Sequence, residues 1–172
     1  MALVLLRHAP LALEHQKRYN GWSDLPIDRE LFNHTLIEPL KERAFDEIYS
    51  SDLRRCRETL KLLFETQKEI NLKKALREVE FREEIEGKSF EEIEKLSSFN
   101  PNHLKSSQSW HNYIAKESPE AFNQRVKEFI LSLPKDREIL ICSHGGTLKE
   151  ILKIIGERER LLNYLEYCEV KL

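Results

Sequence analysis

The chain has 172 residues, 40% of them hydrophobic and 34% charged, with a formal net charge of −2. That size fits one domain spanning residues 1–172, and the composition is globular, which excludes an intrinsically disordered chain. A near-neutral chain sets up no global field toward nucleic acid or an anionic membrane, so neither is expected as a partner and any anion site must be built locally.

Residues 2–6 form a continuous apolar run of strand length and read as a buried strand. Residues 31–43 are helix-permissive, and residues 45–50 are a second strand candidate. Residues 53–64 place Leu60, Leu63 and Phe64 at helical spacing, with Asp52 as the expected N-cap. A third strand is expected over residues 71–76. Ser89 opens a Ser-x-x-Glu capping box. Ser118 followed by Pro119 starts a helix expected to reach residue 133. Residues 138–142 are another buried strand, residues 146–155 a helix stopped by Gly156, and residues 164–172 a last edge strand. Strands alternating with helices predict an α/β domain with three α/β/α layers around a mostly parallel sheet.

The three cysteines, Cys56, Cys142 and Cys168, are widely spaced. They read as reduced, packed thiols rather than zinc ligands or a secreted disulfide framework. No run approaches the ~18 apolar residues of a membrane span, and the N-terminus lacks a signal-peptide pattern, so a cytoplasmic location is expected.

Two of the apolar strands end directly in a histidine, as Leu6-Arg7-His8 and as Cys142-Ser143-His144-Gly145-Gly146. In open α/β sheets ligands bind beyond the carboxyl ends of the strands, so the two imidazoles are expected to share one pocket. The Gly-Gly pair before a helix lets backbone N–H groups approach an anion. Arg7 adjoins His8, and Arg54, Arg55 and Arg57 begin the helix after the second strand. Arginine offers planar, bidentate donors that suit a phosphoryl group. A neutral imidazole can attack phosphorus, while arginines and a second histidine stabilise the transferring charge. The stretch 78–84 supplies carboxylates to protonate the leaving oxygen.

Other chemistries fit less well. Ser143 and His144 are neighbours on a strand and point to opposite faces, so Ser143 is not the nucleophile of a triad. Its expected role is to orient His144 or contact phosphate. The acidic stretch 78–94 reads as a solvated helix face rather than a metal site. His15, His34, His103 and His111 lack metal-ligand spacing and are expected at the surface. Trp110, His111 and Tyr113 form either a flap over the pocket or packing beneath a loop.

The blocks Leu6-Arg7-His8-Ala9, then residues 18–27 (RYNGWSDLPI), 50–55 (SSDLRR), Leu76-Arg77-Glu78 and 143–146 (SHGG) resemble the histidine phosphatase superfamily, also called phosphoglycerate-mutase-like. They occur in the family's order over residues 3 to about 155. The resemblance implies His8 as the phosphorylated nucleophile and Arg7, Arg55 and His144 as the remaining phosphate pocket. It places Glu78 as proton donor, with Glu80 or Glu83 as alternatives, and Asn20 and Gly21 in a substrate-contact stretch. Gly145 would lend a backbone N–H, and Arg54 and Arg57 stay surface charges. No metal and no cofactor are implied.

Several residues depart from the family pattern. Pro10 replaces a usual Glu or Gln. Glu14 stands in the substrate-binding stretch where many members have Asn. A carboxylate there would repel phosphate, so it should turn outward or pair with an arginine such as Arg18. Arg82 follows Phe81 where glycine is usual, and Glu86-Gly87 comes one residue late. Mutases of the family carry a long, arginine-bearing insertion that keeps water out; here residues 87–118 are short and hold no arginine. That implies hydrolysis of a small phosphorylated metabolite. The run from Glu117 to Val126 is similar to members that dephosphorylate α-ribazole-5′-phosphate in cobalamin biosynthesis. The rival readings are a cofactor-dependent mutase and a non-catalytic phosphoester-binding domain, on either a monomer or a homodimer.

Overall fold

Strand residues Leu3, Val4, Leu5 and Leu6 are all fully buried, as are Ile139 to Cys142, so these two strands must be covered on both faces. The computed structural model, which describes residues 2–65 and 68–171, meets that demand. In chain order the elements are β1 (Ala2–Arg7), α1 (Glu38–Lys41), β2 (Glu47–Ser50), α2 (Arg54–Phe64), β3 (Asn71–Leu72), α3 (Phe90–Ile93), α4 (Ser107–Ile114), α5 (Pro119–Leu131), β4 (Ile139–Ser143), α6 (Gly145–Ile154) and β5 (Tyr167–Lys171). The sheet runs β3-β2-β4-β1-β5. Its first four strands are parallel, and β5 pairs antiparallel with β1 at the edge.

Side chains alternate across this sheet with period two. Leu3, Leu5, Ile139 and Ile141 pack on Phe122, Val126 and Phe129 of α5 and Leu148, Ile151 and Leu152 of α6. Val4, Leu6, Leu140 and Cys142 face the other way, onto Leu40 of α1 and Cys56, Leu60 and Leu63 of α2. Burying each such leucine or isoleucine contributes roughly 1.5–3 kcal/mol, and the three expected layers result. A third apolar cluster, Ile85, Ile93, Tyr113 and Ile114, lies in the stretch between β3 and α5, with Tyr19, Phe81 and Trp110 against it. Trp110 and Tyr113 are thus packing residues. His103 stacks on Tyr113 with ring centroids 4.1 Å apart.

The local differences from expectation have identifiable causes. Residues 31–43 form a 3-10 turn, His34–Leu36, and the single-turn α1 rather than one helix. Asp52 does not cap α2. Its carboxylate takes both ends of Arg77 (2.7 and 2.8 Å), and Asp24 Oδ1 accepts from the Arg54 N–H instead (2.6 Å). The third strand stops at Leu72. A 3-10 turn, Lys74–Leu76, then diverts the chain, and Arg125 holds it by donating to the carbonyls of Ala75 (2.8 Å) and Arg77 (3.0 Å). The Ser89 capping box forms both halves, and Ser118 caps α5 through the Ala121 N–H. Helix α5 ends at Leu131, short of residue 133. Gly156, at φ +78°, adopts the left-handed conformation that ends α6. β5 begins at Tyr167, and Leu172, the end of the expected strand, lies outside the described residues. Among the described residues, no helix is long and apolar enough to cross a membrane.

Candidate active site

Because β1 and β4 are adjacent and parallel, with Leu6 opposite Cys142 and Arg7 opposite Ser143, the next residue of each strand leaves the sheet at the same level. Those residues are His8 and His144. The His8 N–H donates to the Ser143 carbonyl (3.1 Å), and the two ring centroids are 5.2 Å apart. Both line a cavity of about 270 Å³, together with Arg7, Arg18, Asn20, Arg55, Glu78, Gly145 and Gly146. The rest of the wall is apolar or aromatic: Leu11, Tyr19, Phe81, Leu161 and Tyr164. None of it comes from residues 87–118.

His8 is 4% exposed. Its Nδ1 lies 2.7 Å from the Ala9 carbonyl, which can only accept, so Nδ1 carries the proton. Nε2 therefore holds the lone pair, and it makes no hydrogen bond among the described residues. Burial, then the positive fields of Arg55 and Arg7, push the His8 pKa well below the ordinary histidine value. His8 is a neutral imidazole with a free Nε2 lone pair, the state a nucleophile needs.

His144 is fixed in the complementary tautomer. Arg55 Nε donates to its Nδ1 (3.0 Å), so its Nε2 bears the proton and donates to Ser51 Oγ (2.8 Å). Burial, then Arg55, His8 and Arg7, lower its pKa as well. Both of its nitrogens are engaged, and its Nδ1 helps to fix the Arg55 guanidinium.

Arg55 is 1% exposed. Besides His144 it donates to the carbonyls of Ser23 (2.8 Å) and Gly21 (2.7 Å), pinning loop 20–23 to α2. Burial lowers its pKa, but a guanidinium stays charged at any working pH. Arg7 donates to the Leu162 carbonyl (2.6 Å) and lies 4.2 Å over the Tyr164 ring. Gly145 leaves room for this, since a Cβ there would stand 3.3 Å from Arg7 Cζ. Among the described residues, two buried side-chain polar atoms have no partner: Arg7 Nε and Asn20 Oδ1. Each belongs to a cavity residue. A buried polar group left unpaired costs about 1–3 kcal/mol.

Glu78 sits at the N-terminus of α6. Its Oε2 accepts from the Gly146 N–H (2.9 Å) and its Oε1 from the Val79 N–H (3.0 Å). A Cβ on Gly146 would come within 2.4 Å of Oε1, so glycine is required for this approach. The Gly146 amide therefore serves Glu78 rather than an anion in the cavity. Glu80 and Glu83 instead face Lys116, at 3.5 and 3.8 Å, and neither lines the cavity.

The remaining sequence candidates fall elsewhere. Glu14 turns outward, 80% exposed at its side chain and 3.5 Å from His15 Nε2. Arg18 bonds the Glu14 carbonyl (2.7 Å), not its carboxylate, and pairs with Glu92 (2.5 Å). Gly21 is not a lining residue either. Its N–H donates to Glu86 Oε1 (2.9 Å), its carbonyl accepts from Arg55, and a Cβ there would sit 2.5 Å from the Val79 carbonyl. The late Glu86 thus clamps loop 21–23. Ser143 neither orients His144 nor reaches the cavity; its hydroxyl donates to the Leu76 carbonyl (2.7 Å), tying β4 to the chain that carries Glu78. Sequence reasoning missed Tyr164, Leu161 and Leu11, which no motif flags. It also gave no role to Thr59, whose hydroxyl accepts from the Ala9 N–H (2.8 Å) and seats the loop after β1. Among the described residues, no group of three or more His, Cys, Asp or Glu is placed to hold a metal ion.

Comparison with known proteins agrees with this arrangement. No curated protein sequence matches the chain. Among solved structures, TTHB049 from Thermus thermophilus is 26% identical, with a TM-score of 0.72 over 99% of this chain and 93% of that one. A candidate alpha-ribazole-5′-P phosphatase from Escherichia coli is 23% identical, with a TM-score of 0.79 over 98% and 89%. Phosphoserine phosphatase from Entamoeba histolytica, in complex with 3-phosphoglyceric acid, is 22% identical with the same TM-score and the same coverage. The last two likenesses are of fold alone, and that fold is phosphoglycerate-mutase-like. The sequence signature of the histidine phosphatase superfamily (branch 1) matches residues 3–166. The chain belongs to that superfamily.

Proposed function

We propose that the protein is a phosphatase that hydrolyses a small-molecule phosphate monoester through a phosphohistidine at Nε2 of His8. The observation that carries this reading is the neutral His8 ring, its Nδ1 proton tied to Ala9 and its Nε2 without a partner among the described residues, in a cavity that Arg7 and Arg55 also line. In the first step Nε2 attacks phosphorus, the ester P–O bond breaks, and Glu78 passes a proton to the departing alcohol. Arg7 and Arg55 hold the equatorial oxygens as charge shifts onto them. In the second step Glu78 takes a proton from water, the hydroxide oxygen attacks phosphorus, and the P–N bond breaks to release phosphate.

Water access favours hydrolysis over the mutase reading, because residues 87–118 pack in their own apolar cluster and leave the cavity wall to other segments. In its narrowest form the proposal names α-ribazole-5′-phosphate, on the pattern from Glu117 to Val126. That pattern has a second task here: Arg125 joins Glu117 (2.5 Å) to the backbone leading to Glu78.

The test is phosphate release from a generic aryl phosphate with EDTA present. The wild-type protein is expected to turn over, and His8→Ala to lose at least about 10³-fold. The trapped phosphoenzyme should be stable in base and lost in acid. Equal turnover by His8→Ala would end the nucleophile assignment, and a wild type that binds but never turns over would favour the non-catalytic domain.

A further inference from the structure

The cavity wall combines two unlike sets of side chains. Arg7, His8, Arg55 and His144 form one, and Leu11, Tyr19, Phe81, Leu161 and Tyr164 form the other, with Tyr164 lying against Arg7. With its phosphate held by the first set, a bound ester leaves its alcohol to meet the second, along with Arg18, Asn20 and Glu78. Its charge environment is selective. The remaining lining cation, Arg18, is paired with Glu92 and also donates to the carbonyls of Glu14 and Gly87 (2.9 Å). Glu78 adds a carboxylate to the same wall. An anionic leaving group would lose its hydration there and gain no unpaired cation in return.

Asn20 adds a polar requirement. Its Nδ2 donates to the His15 carbonyl (2.6 Å), which fixes the amide, since the flipped rotamer would set oxygen against oxygen. Oδ1 is consequently a buried acceptor without a donor. Water, a hydroxyl or an N–H can satisfy it; a carboxylate cannot.

We propose that the leaving group is an uncharged, mainly apolar alcohol bearing a hydrogen-bond donor for Asn20 Oδ1, and that esters whose alcohol carries a carboxylate are discriminated against. This inference rests on the phosphatase reading. A volume near 270 Å³ lies close to the lower end of small-molecule sites.

Three esters test it: benzyl phosphate, glycerol 3-phosphate and 3-phosphoglycerate. The last two differ only by a hydroxymethyl group against a carboxylate. For the wild type, kcat/KM for glycerol 3-phosphate is expected to exceed that for 3-phosphoglycerate by about 10-fold or more. Asn20→Ala should lower kcat/KM for glycerol 3-phosphate about 5- to 10-fold while lowering that for benzyl phosphate less. Leu161, 61% exposed, tolerates a polar replacement, and Leu161→Lys should raise 3-phosphoglycerate turnover relative to benzyl phosphate. Wild-type preference for 3-phosphoglycerate, or equal losses for both esters in Asn20→Ala, would overturn the inference and leave the phosphatase reading standing. If folded wild-type protein releases phosphate from none of the three, the phosphatase reading falls and takes this inference with it.

Discussion

The cavity wall is built from two kinds of material: the histidine–arginine set, which the proposed reaction makes the phosphate end, and the apolar set, which it makes the leaving-group end. At the phosphate end, His8 and His144 directly follow two paired, fully buried strands, and Arg55 on the first turn of α2 is 1% exposed. Each ring has its tautomer set by a named partner. At the other end, Tyr19 and Leu11 come from the loop after β1, Phe81 from the loop after β3, and Leu161 and Tyr164 from the loop after α6. Reaction geometry is thus carried by packed elements, where a ~1 Å error is expensive, and substrate fit by loops that change without disturbing the sheet.

The strongest way to break the phosphate end is Arg55→Met. The side chain keeps its bulk, but the carbonyls of Gly21 and Ser23 and Nδ1 of His144 lose their donor inside the protein. Stability is expected to fall by about 3 kcal/mol. Phosphate release should fall about 10³-fold, because in the proposed reaction the guanidinium also meets the developing charge. Chemical denaturation and kcat/KM measured on the same sample check both. A stable variant with activity within tenfold of wild type would show that Arg55 serves neither purpose.

Gly146 and Gly145 compare the two ends at neighbouring positions. In Gly146→Ala the new Cβ meets Glu78 Oε1 at 2.4 Å, and the acid has to move off the α6 N-terminus. The expected cost is about 10- to 100-fold in kcat with little change in KM. In Gly145→Ala the nearest atom is the end of the Leu161 side chain, at 3.0 Å, followed by Arg7 Cζ at 3.3 Å. Leu161 is exposed and can swing away, so the loss should be smaller and appear in KM. The reverse ranking in steady-state kinetics would mean that Glu78 is not held by this contact.

Much of this was legible in the sequence, for a physical reason. A strand buried on both faces has to be apolar throughout, so its end is visible where polar residues begin, and there stand His8 and His144. The capping residues Ser89 and Ser118 were legible because a helix start is a local matter of one hydroxyl and one amide. Asp52 reads as a cap in the sequence but has two possible partners, and the stronger one, Arg77, is set by the fold. The third strand is shorter than its sequence suggests because its diversion depends on Arg125, remote in sequence. Gly21 and Glu14 show the limit for site residues. A motif marks a position as constrained, but not whether the constraint is a ligand or, as for Gly21, backbone packed at 2.5 Å. Tyr164 and Leu161 left no signal at all, since an apolar loop residue over a cavity looks like any other.

The gentlest probe of the phosphate end is proton binding. Burial and the neighbouring arginines hold His8 and His144 neutral in the folded chain, with pKa values well below the ordinary value of about 6.5. Unfolded, both would take up protons as the pH falls through that value. The unfolded state then binds more protons than the native one, so stability declines as the pH drops below about 6.5, down to the lower native values. Each histidine contributes a slope of up to about 1.4 kcal/mol per pH unit. Above that pH both states are neutral at these positions and the slope from them vanishes. Replacing both histidines by glutamine should therefore flatten the decline below about pH 6.5, whatever it does to stability at neutral pH. Denaturant midpoints measured from about pH 8 to 5 give the comparison directly. Parallel curves for the wild type and the double variant would mean that these rings titrate in the folded chain as they do in the unfolded one, so that burial and the arginines do not hold them neutral below about pH 6.5.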